Sequence, residues 1–146
     1  MAAATSIQLV IPSEVRLVDL VHEVSQKLAE LAGFNPDDAL NVGLAVREAV
    51  INAILHGNKA DPSREVDIRL DLPESGGIQV QIRDQGDGFD PDATPDPTDD
   101  ENVLNASGRG ILMIRAFVDN VTFRFRKGRG MEITLVKNKV QESGAA

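Results

Sequence analysis

The sequence predicts an α+β fold, a two-layer sandwich in which helices pack on one face of a mixed, largely antiparallel sheet. Residues 13–57 contain two runs of helical apolar spacing, and paired segments that alternate apolar and polar residues follow them. Helices followed by hairpins are typical of this class, whereas a parallel sheet requires helices between its strands. With 146 residues, we expect one domain that spans 1–146.

The first elements are a short strand and a long amphipathic helix. The strand is expected from Ser6 to Ile11, where Pro12 ends it. Ser13 is expected to cap a helix that runs to about Ala32. The predicted apolar stripe of this helix consists of Leu17, Leu20, Val21, Val24, Leu28 and Leu31.

The second helix carries the polar pattern on which the functional prediction depends. Asn35 is expected to cap it and Gly57 to end it. Glu48, Asn52 and His56 recur at intervals of four residues and so lie along one face. A carboxylate and a carboxamide one turn apart are costly to bury without partners, which a polar ligand or a hydrated metal ion would supply. A polar face open to water explains the same pattern equally well.

Two hairpins are predicted after the helices. The first joins strands at about 66–72 and 78–82 across a Gly-rich turn. The second joins strands at about 121–125 and 133–135. A short apolar helix from Gly110 to about Val118 precedes the second hairpin, and the last residues, from about 141, are expected to form a frayed tail.

Composition disfavours several classes of function. The net charge of −8, from 15 basic and 23 acidic residues, disfavours nucleic acid or an anionic membrane as the main partner. The chain has no Trp or Tyr for stacking on bases, and no Cys for disulfides or thiolate metal sites. No signal peptide and no apolar run of membrane-spanning length are recognised, so a cytoplasmic location is expected.

Two glycine-containing motifs flank a long loop. The segment 84–88, Asp-Gln-Gly-Asp-Gly, directly follows a strand, and the segment 107–110, Ser-Gly-Arg-Gly, directly precedes a helix. Either motif alone is most often only a turn. Glycines at the head of a helix let backbone N–H groups approach a phosphate, and an Asp at a strand end can accept a hydrogen bond from an exocyclic amine. Together they would hold a purine and a triphosphate, with the loop at about 89–107 as a candidate lid.

These motifs resemble the three boxes of the GHKL (Bergerat-fold) ATPases. The run 48–58, Glu-Ala-Val-Ile-Asn-Ala-Ile-Leu-His-Gly-Asn, resembles their N-box. The segments 84–88 and 108–110 resemble their first and second glycine boxes. The short chain, with Asp-Pro-Thr before the second box and Phe-Val-Asp-Asn-Val after it, is similar to the anti-sigma-factor serine kinases. The resemblance covers about residues 6–136.

The resemblance implies a role for each matching residue. Glu48 would be the base or positioning carboxylate for the nucleophile. Asn52 would bind Mg²⁺ through its side-chain oxygen, and Asp84 would accept a hydrogen bond from the adenine amine of ATP. The matching glycines would line the base pocket (Gly86 and Gly88) and offer backbone to the phosphates (Gly108 and Gly110).

The chain also departs from the family pattern. Related kinases often carry a basic residue just ahead of the second glycine box, where this chain has Leu-Asn-Ala at 104–106. Arg109 either substitutes for that residue beside the γ-phosphate or points to water. The acidic residues of the lid are expected to form a solvated face. His56 is expected to favour the negative end of the helix dipole, and His22 to be a helix-surface or core-edge residue.

The resemblance implies an ATP-dependent serine/threonine protein kinase that acts as an anti-sigma factor. Its implied partners are a sigma factor and an anti-anti-sigma antagonist protein, which it phosphorylates, with no direct nucleic-acid or membrane contact. Homodimerisation is common among the resembled kinases. Two alternatives remain open: a non-catalytic module that senses ATP and binds the sigma factor, and a stand-alone GHKL ATPase subunit.

Overall fold

The alternating segments of the chain form one five-stranded sheet, and the helices pack on its apolar face. The structure, a computed structural model, describes residues 3–86, 110–126 and 130–139. The strands are β1 (Ala3–Pro12), β2 (Glu65–Pro73), β3 (Ile78–Arg83), β4 (Asn120–Arg126) and β5 (Gly130–Lys137). Every pairing among them is antiparallel, in the order β1-β2-β3-β5-β4. The helices are α1 (Val18–Leu31), α2 (Pro36–Asn52) and α3 (Gly110–Phe117). The predicted α+β fold class is confirmed.

The register of the sheet places one apolar row against the helices. Ile68 of β2 lies opposite Ile82 of β3, which in turn lies opposite Ile133 of β5. All three side chains are buried. Because side chains alternate between the faces of a sheet, this pairing commits the whole apolar set of each strand to the core.

The opposite face of the sheet carries a row of alternating charge. Asp67, Arg83, Glu132 and Arg124 lie side by side on four neighbouring strands. Arg83 donates through Nε to Glu132, which is buried. Opposite charges on directly paired strand positions stabilise a sheet, so this face is held by polar pairing rather than by apolar burial.

The first helix differs from its prediction in where it begins and in which of its apolar residues are buried. It begins at Val18 after a 3₁₀ turn at Val15–Leu17, and Ser13 does not cap it. The Ser13 hydroxyl is buried and donates instead to the carbonyl of Arg64, at 2.8 Å. Leu20 and Leu31 are exposed, because α1 turns a face toward the core on which small residues, Ser25 and Ala29 among them, allow close packing.

The second helix is the central element of the core. Asn35 caps it as predicted, since its Oδ1 accepts a hydrogen bond from the Asp38 amide at 2.8 Å. The stretch Pro36–Gly57 has 22 residues and is apolar enough to cross a membrane by length and composition, unlike the other described helices. More than half of its most apolar window, 56%, is buried inside this domain. A helix covered by α1, α3 and the sheet needs an apolar surface on several sides, which explains that composition.

The second helix ends in a π turn, Ala53–Gly57. The amide of Asn58 donates to the carbonyl of Ala53 at 2.8 Å, and the amide of Ala60 donates to the carbonyl of Ile54 at 2.7 Å. Ala60 has a positive φ of 57°, which reverses the chain after the helix. Single π turns widen the helix locally, and they are frequent at functional sites.

Candidate functional site

Asp84 is a buried carboxylate at the end of β3, with only 6% of its surface exposed. Its Oδ1 accepts hydrogen bonds from the amides of Gly86, at 3.0 Å, and Met131, at 3.1 Å. Its own amide donates to the carbonyl of Met131 at 3.1 Å, so the backbone of β5 holds the residue on two sides. Within the described parts of the chain, Oδ2 accepts no hydrogen bond. One oxygen therefore positions the group, and the other remains available to a ligand.

Three glycines make room for this carboxylate. A Cβ atom on Gly57 would overlap Asp84 Oδ2, and one on Gly130 would overlap Asp84 Oδ1. A Cβ atom on Gly86 would overlap the carbonyl oxygen of Gly57. Gly130 also has a φ of +93°, which side chains rarely tolerate. The close approach of three backbone segments to one acidic side chain therefore depends on glycine at each position.

Gly57 and Gly130 were not predicted as site residues. Gly57 was predicted only as the end of a helix, and Gly130 lies in what was predicted as an ordinary hairpin turn. The run His-Gly-Asn at 56–58 was the one available signal for Gly57, because it belongs to the motif that resembles the N-box. Nothing in the sequence around Gly130 indicates that it packs against a residue 46 positions earlier in the chain.

Burial raises the pKa of Asp84 above its ordinary value of 3.8. The amides of Met131 and Gly86 act in the opposite direction, because they stabilise the charged form. The positive charges of Arg64 and Arg126 also act to lower the pKa, but they do not cancel the effect of burial. Desolvation is the largest of these effects, so a ligand that donates to the carboxylate would compensate for a cost that the protein alone does not remove.

The turn that ends α2 lies next to this carboxylate, through Gly57. Glu48 and Asn52 are half-buried and stand one turn apart. Helical rise places Glu48 about 13 Å along the axis from Gly57, whose Cα lies against Asp84. The arrangement is elongated, with the buried carboxylate at one end and Glu48 toward the other. An elongated ligand with different chemistry at its two ends fits this spacing.

The amide of Asn52 is the unsatisfied polar group of this region. Its Nδ2 is buried and has no hydrogen-bond partner among the described residues. A half-turn about the Cβ–Cγ bond exchanges Nδ2 and Oδ1, so this position can present the oxygen that a hard cation requires. The described residues contain no group of three or more His, Cys, Asp or Glu side chains that could hold a metal ion. The amide oxygen of Asn52 has the chemistry of a Mg²⁺ ligand in a site where phosphates and water would supply the remaining ligands.

His56 lies in the π turn that ends the helix, where the angle between successive side chains differs from that of an α-helix. The His56 side chain is exposed at the end of the helix. His22 is half-buried on α1, with its Nε2 at 2.9 Å from Gln26 Oε1, as expected of a core-edge residue.

The second glycine box is described only at its last residue. Gly110 begins α3, which packs against α2 and therefore lies beside the same helix that carries Glu48 and Asn52. Gly88, Gly108, Arg109 and the lid at 89–107 lie outside the described residues. The roles assigned to them remain predictions.

The comparison with protein families decides the assignment. A model of the histidine kinase-like ATPase domain matches residues 11–137. The chain belongs to this family.

Relatives in this family extend along nearly the whole chain. The serine-protein kinase RsbW of Bacillus licheniformis is 28% identical over 145 residues, covering 94% of this chain and 89% of the relative. The serine-protein kinase RsbW of Staphylococcus aureus (strain JH9) is 30% identical over 147 residues, covering 94% of this chain and 92% of the relative. The predicted assignment to a serine kinase group within the GHKL ATPases is therefore confirmed.

Solved structures share the fold. The RsbU and RsbW domains of a Mycobacterium tuberculosis protein match with a TM-score of 0.67 at 16% identity, covering 92% of this chain and 32% of that one. The histidine kinase domain of a blue-light activated histidine kinase from Erythrobacter litoralis matches with a TM-score of 0.57 at 16% identity, covering 88% of this chain and 61% of that one. The chain thus spans about a third of the length of the former structure.

Proposed function

We propose that this chain binds ATP with Mg²⁺ and transfers the γ-phosphoryl group to a serine or threonine of an antagonist protein. In this proposal it is an anti-sigma factor: it holds a sigma factor inactive until the antagonist competes, and phosphorylation of the antagonist resets the switch. Membership of the histidine kinase-like ATPase family and similarity to serine-protein kinases over most of the chain support the proposal.

The observation that carries the proposal is the half-satisfied carboxylate of Asp84. Oδ1 is held by two backbone amides while Oδ2 accepts none among the described residues. A buried acceptor of this kind favours a ligand that donates, such as the exocyclic amine of adenine. The glycines at 57 and 130 let the backbone pack directly against this carboxylate, which keeps it buried.

Mg²⁺ is assigned to the side-chain oxygen of Asn52. The buried, unpartnered amide at this position supports the assignment, because a polar group in that environment is costly unless a ligand satisfies it. Bound there, the ion would neutralise charge on the phosphates during transfer. Asn52 would orient the ion and so indirectly orient the phosphate chain.

Glu48 is assigned as the group that orients and accepts the proton of the attacking hydroxyl. It is half-buried, one turn before Asn52, and makes no hydrogen bond or ion pair with the other described residues. A carboxylate without a protein partner is available to the hydroxyl of an incoming substrate. Phosphoryl transfer depends mainly on positioning and charge neutralisation, so one carboxylate and one cation suffice in principle.

The charge of the chain is consistent with protein partners in this proposal. A net charge of −8 disfavours direct contact with nucleic acid, so regulation of transcription would proceed through the sigma factor. A cytoplasmic location, expected from the sequence, and homodimerisation, which is common among the resembled kinases, belong to the same proposal.

The proposal is tested by nucleotide selectivity followed by transfer. Calorimetry with ATP and GTP in Mg²⁺ should show a preference for ATP of about 5-fold to 150-fold, because guanine presents a carbonyl oxygen where Asp84 needs a donor. Radiolabelled phosphate should then pass from ATP to a serine or threonine of a cognate antagonist. Equal affinity for the two nucleotides would overturn the assignment of Asp84.

A further inference from the structure

We propose that Asn58 is a positioning residue that sets the specificity of the Asp84 carboxylate for an adenine amine, by holding the loop after β3 against the end of α2. This inference rests on the proposed function. It concerns a residue that touches neither the base nor the phosphates and that lies wholly in the interior, with 0% of its surface exposed.

Every polar group of the Asn58 side chain has a partner. Nδ2 donates to the Ser13 hydroxyl at 2.8 Å and to the Glu65 carbonyl at 3.0 Å. Oδ1 accepts from the amide of Gln85 at 2.7 Å. The reversed amide would place a nitrogen against the Gln85 N–H and an oxygen against the Glu65 carbonyl, so the network admits one orientation only.

The bond between Asn58 and Gln85 joins two of the three segments that lie against the carboxylate. Gly57, directly before Asn58, lies against Asp84 Oδ2. Gly86, directly after Gln85, donates its amide to Asp84 Oδ1. The hydrogen bond between Asn58 and Gln85, at 2.7 Å, therefore links Gly57, which packs against Oδ2 of Asp84, to Gly86, which donates to Oδ1.

Gln85 forms a second, exposed connection of the same loop. Its side-chain Oε1 accepts from the amide of Glu65 at 2.6 Å, although the side chain itself is exposed. The loop after β3 is thus attached to the start of β2 through Gln85, and to the end of α2 through Asn58. Of the two, the bond to Asn58 is the less exposed, and it lies on the direct route between Gly57 and Gly86.

Loss of this bond would let the loop move relative to the helix end. The carboxylate is selective for a donor only while Oδ2 is held in reach of the base and away from water, because a solvated carboxylate gains little from one more donor. Affinity for the amine should therefore fall more than affinity for the rest of the nucleotide. General destabilisation, in contrast, lowers the fraction of folded protein and leaves the preference of the folded fraction unchanged.

The test compares ATP with purine riboside 5′-triphosphate, which lacks the exocyclic amine. For the wild type, the ratio of the two dissociation constants should lie at about 5-fold to 150-fold in favour of ATP. Asn58→Ala should reduce this ratio to about 3-fold or less. Ser13→Ala is the matched control, because it removes one buried partner of the same amide and leaves the bond to Gln85 in place. It should keep the wild-type ratio.

Gln85→Pro is the second test variant, and it is decisive if Asn58→Ala does not fold. It removes the backbone N–H that donates to Asn58 at an exposed position and leaves the Asn58 side chain in the core, and the ratio should fall by about 2-fold to 5-fold. A wild-type ratio kept by Gln85→Pro and by any folded Asn58→Ala overturns the inference alone. An equal loss in Ser13→Ala overturns the assignment to the bond with Gln85. If the wild-type protein itself binds the two nucleotides with a ratio of dissociation constants near one, the proposed function is wrong, and this inference with it.

Discussion

Asp84 has to be ionised to accept hydrogen bonds from two backbone amides and, in the proposed function, from the adenine amine. The protein nevertheless buries this carboxylate. The raised pKa of Asp84 means that ionisation opposes folding. Its favourable contribution to stability is complete below the unfolded pKa, near 3.8, and is lost as the pH rises through the folded pKa. At neutral pH, ionisation of Asp84 therefore lowers the stability of the fold. The charged carboxylate is the hydrogen-bond acceptor that the site requires.

The variant Asp84→Asn tests this trade directly. Its Oδ1 can still accept from Gly86 and Met131, so the fold should persist while ATP binding weakens. In urea unfolding, the stability of Asp84→Asn relative to wild type should become more favourable between pH 4 and pH 7.

Asp61→Asn provides a control of opposite sign. Hydrogen bonds from the hydroxyl and the amide of Ser63 lower the pKa of this exposed carboxyl. Its contribution to stability is present above the unfolded pKa and is lost as the pH falls, so this variant should lose relative stability as the pH rises. Parallel trends in the two variants would contradict the role of burial at Asp84.

Asn52→Ala separates the binding of the nucleotide from the binding of the metal. The variant loses no hydrogen bond from Nδ2 to a described residue, because that atom has none. ADP binding without Mg²⁺ should remain close to wild type in calorimetry, while most of the gain in affinity on adding Mg²⁺ should disappear. Asn41→Ala, on the same helix, should keep that gain. If Mg²⁺ strengthens binding equally in Asn52→Ala and wild type, Asn52 is not the ligand.

At the scale of elements, the contact between α1 and α2 depends on one glycine. Gly43 of α2 faces the ring of His22, and a Cβ atom there would lie 2.8 Å from Cδ2 and Nε2 of that ring. The ring cannot move freely, since its Nε2 is paired with Gln26 Oε1. A helix-interior glycine is unfavourable by about 1 kcal/mol relative to alanine, so the close packing must compensate for it.

The effect of Gly43→Ala on the free energy of unfolding should have opposite signs in the wild type and in a His22→Ala background. In the wild type it should destabilise the protein by about 1 kcal/mol, the result of overpacking of about 1–3 kcal/mol less the gain in helix propensity. In a His22→Ala background the same change should stabilise the protein by about 0.5–1 kcal/mol. Urea unfolding of the four proteins gives the coupling, and equal effects in both backgrounds would exclude the contact as the reason for glycine.

Element prediction from the sequence succeeded where the signal was local and failed where it was tertiary. Alternation predicted β2 and β3, and the Asn35 cap, the Pro and the acidic first turn predicted the start of α2. Ser13 has the chemistry of a cap but bonds to Arg64 instead, a contact between residues 51 positions apart. The π turn at Ala53–Gly57, which includes His56, was not predicted from the sequence.

For the molecule as a whole, the site is assembled only by the fold. The sequence predicted Glu48 and Asn52 in one motif and Asp84 in another, because each motif matches a box of a known family. The glycine cradle and the Asn58 network were not predictable, since they depend on which segments the sheet order brings together. Chemistry could thus be read from residue types, whereas positioning required the three-dimensional structure.

Glu48→Gln tests whether the assembled molecule is an enzyme or a binding module. Glu48 stands one turn before the proposed metal ligand, and in the proposed function it would not be needed to hold the nucleotide. Removal of its charge should relieve repulsion with the phosphates, so Glu48→Gln should bind ATP at least as well as wild type. A general base typically contributes about 10²–10⁴-fold in rate, and phosphoryl transfer to a cognate antagonist should fall by that factor.

The measurement uses radiolabelled ATP, the antagonist and three proteins, wild type, Glu48→Gln and Glu74→Gln. Glu74 is exposed in the turn between β2 and β3, so its variant removes the same charge away from the site and should transfer phosphate at the wild-type rate. Equal rates for all three proteins would make Glu48 structural and the mechanism wrong. If none transfers phosphate despite tight ATP binding and a verified complex with the antagonist, the chain is a nucleotide-sensing binding module, because the same site would then serve binding alone.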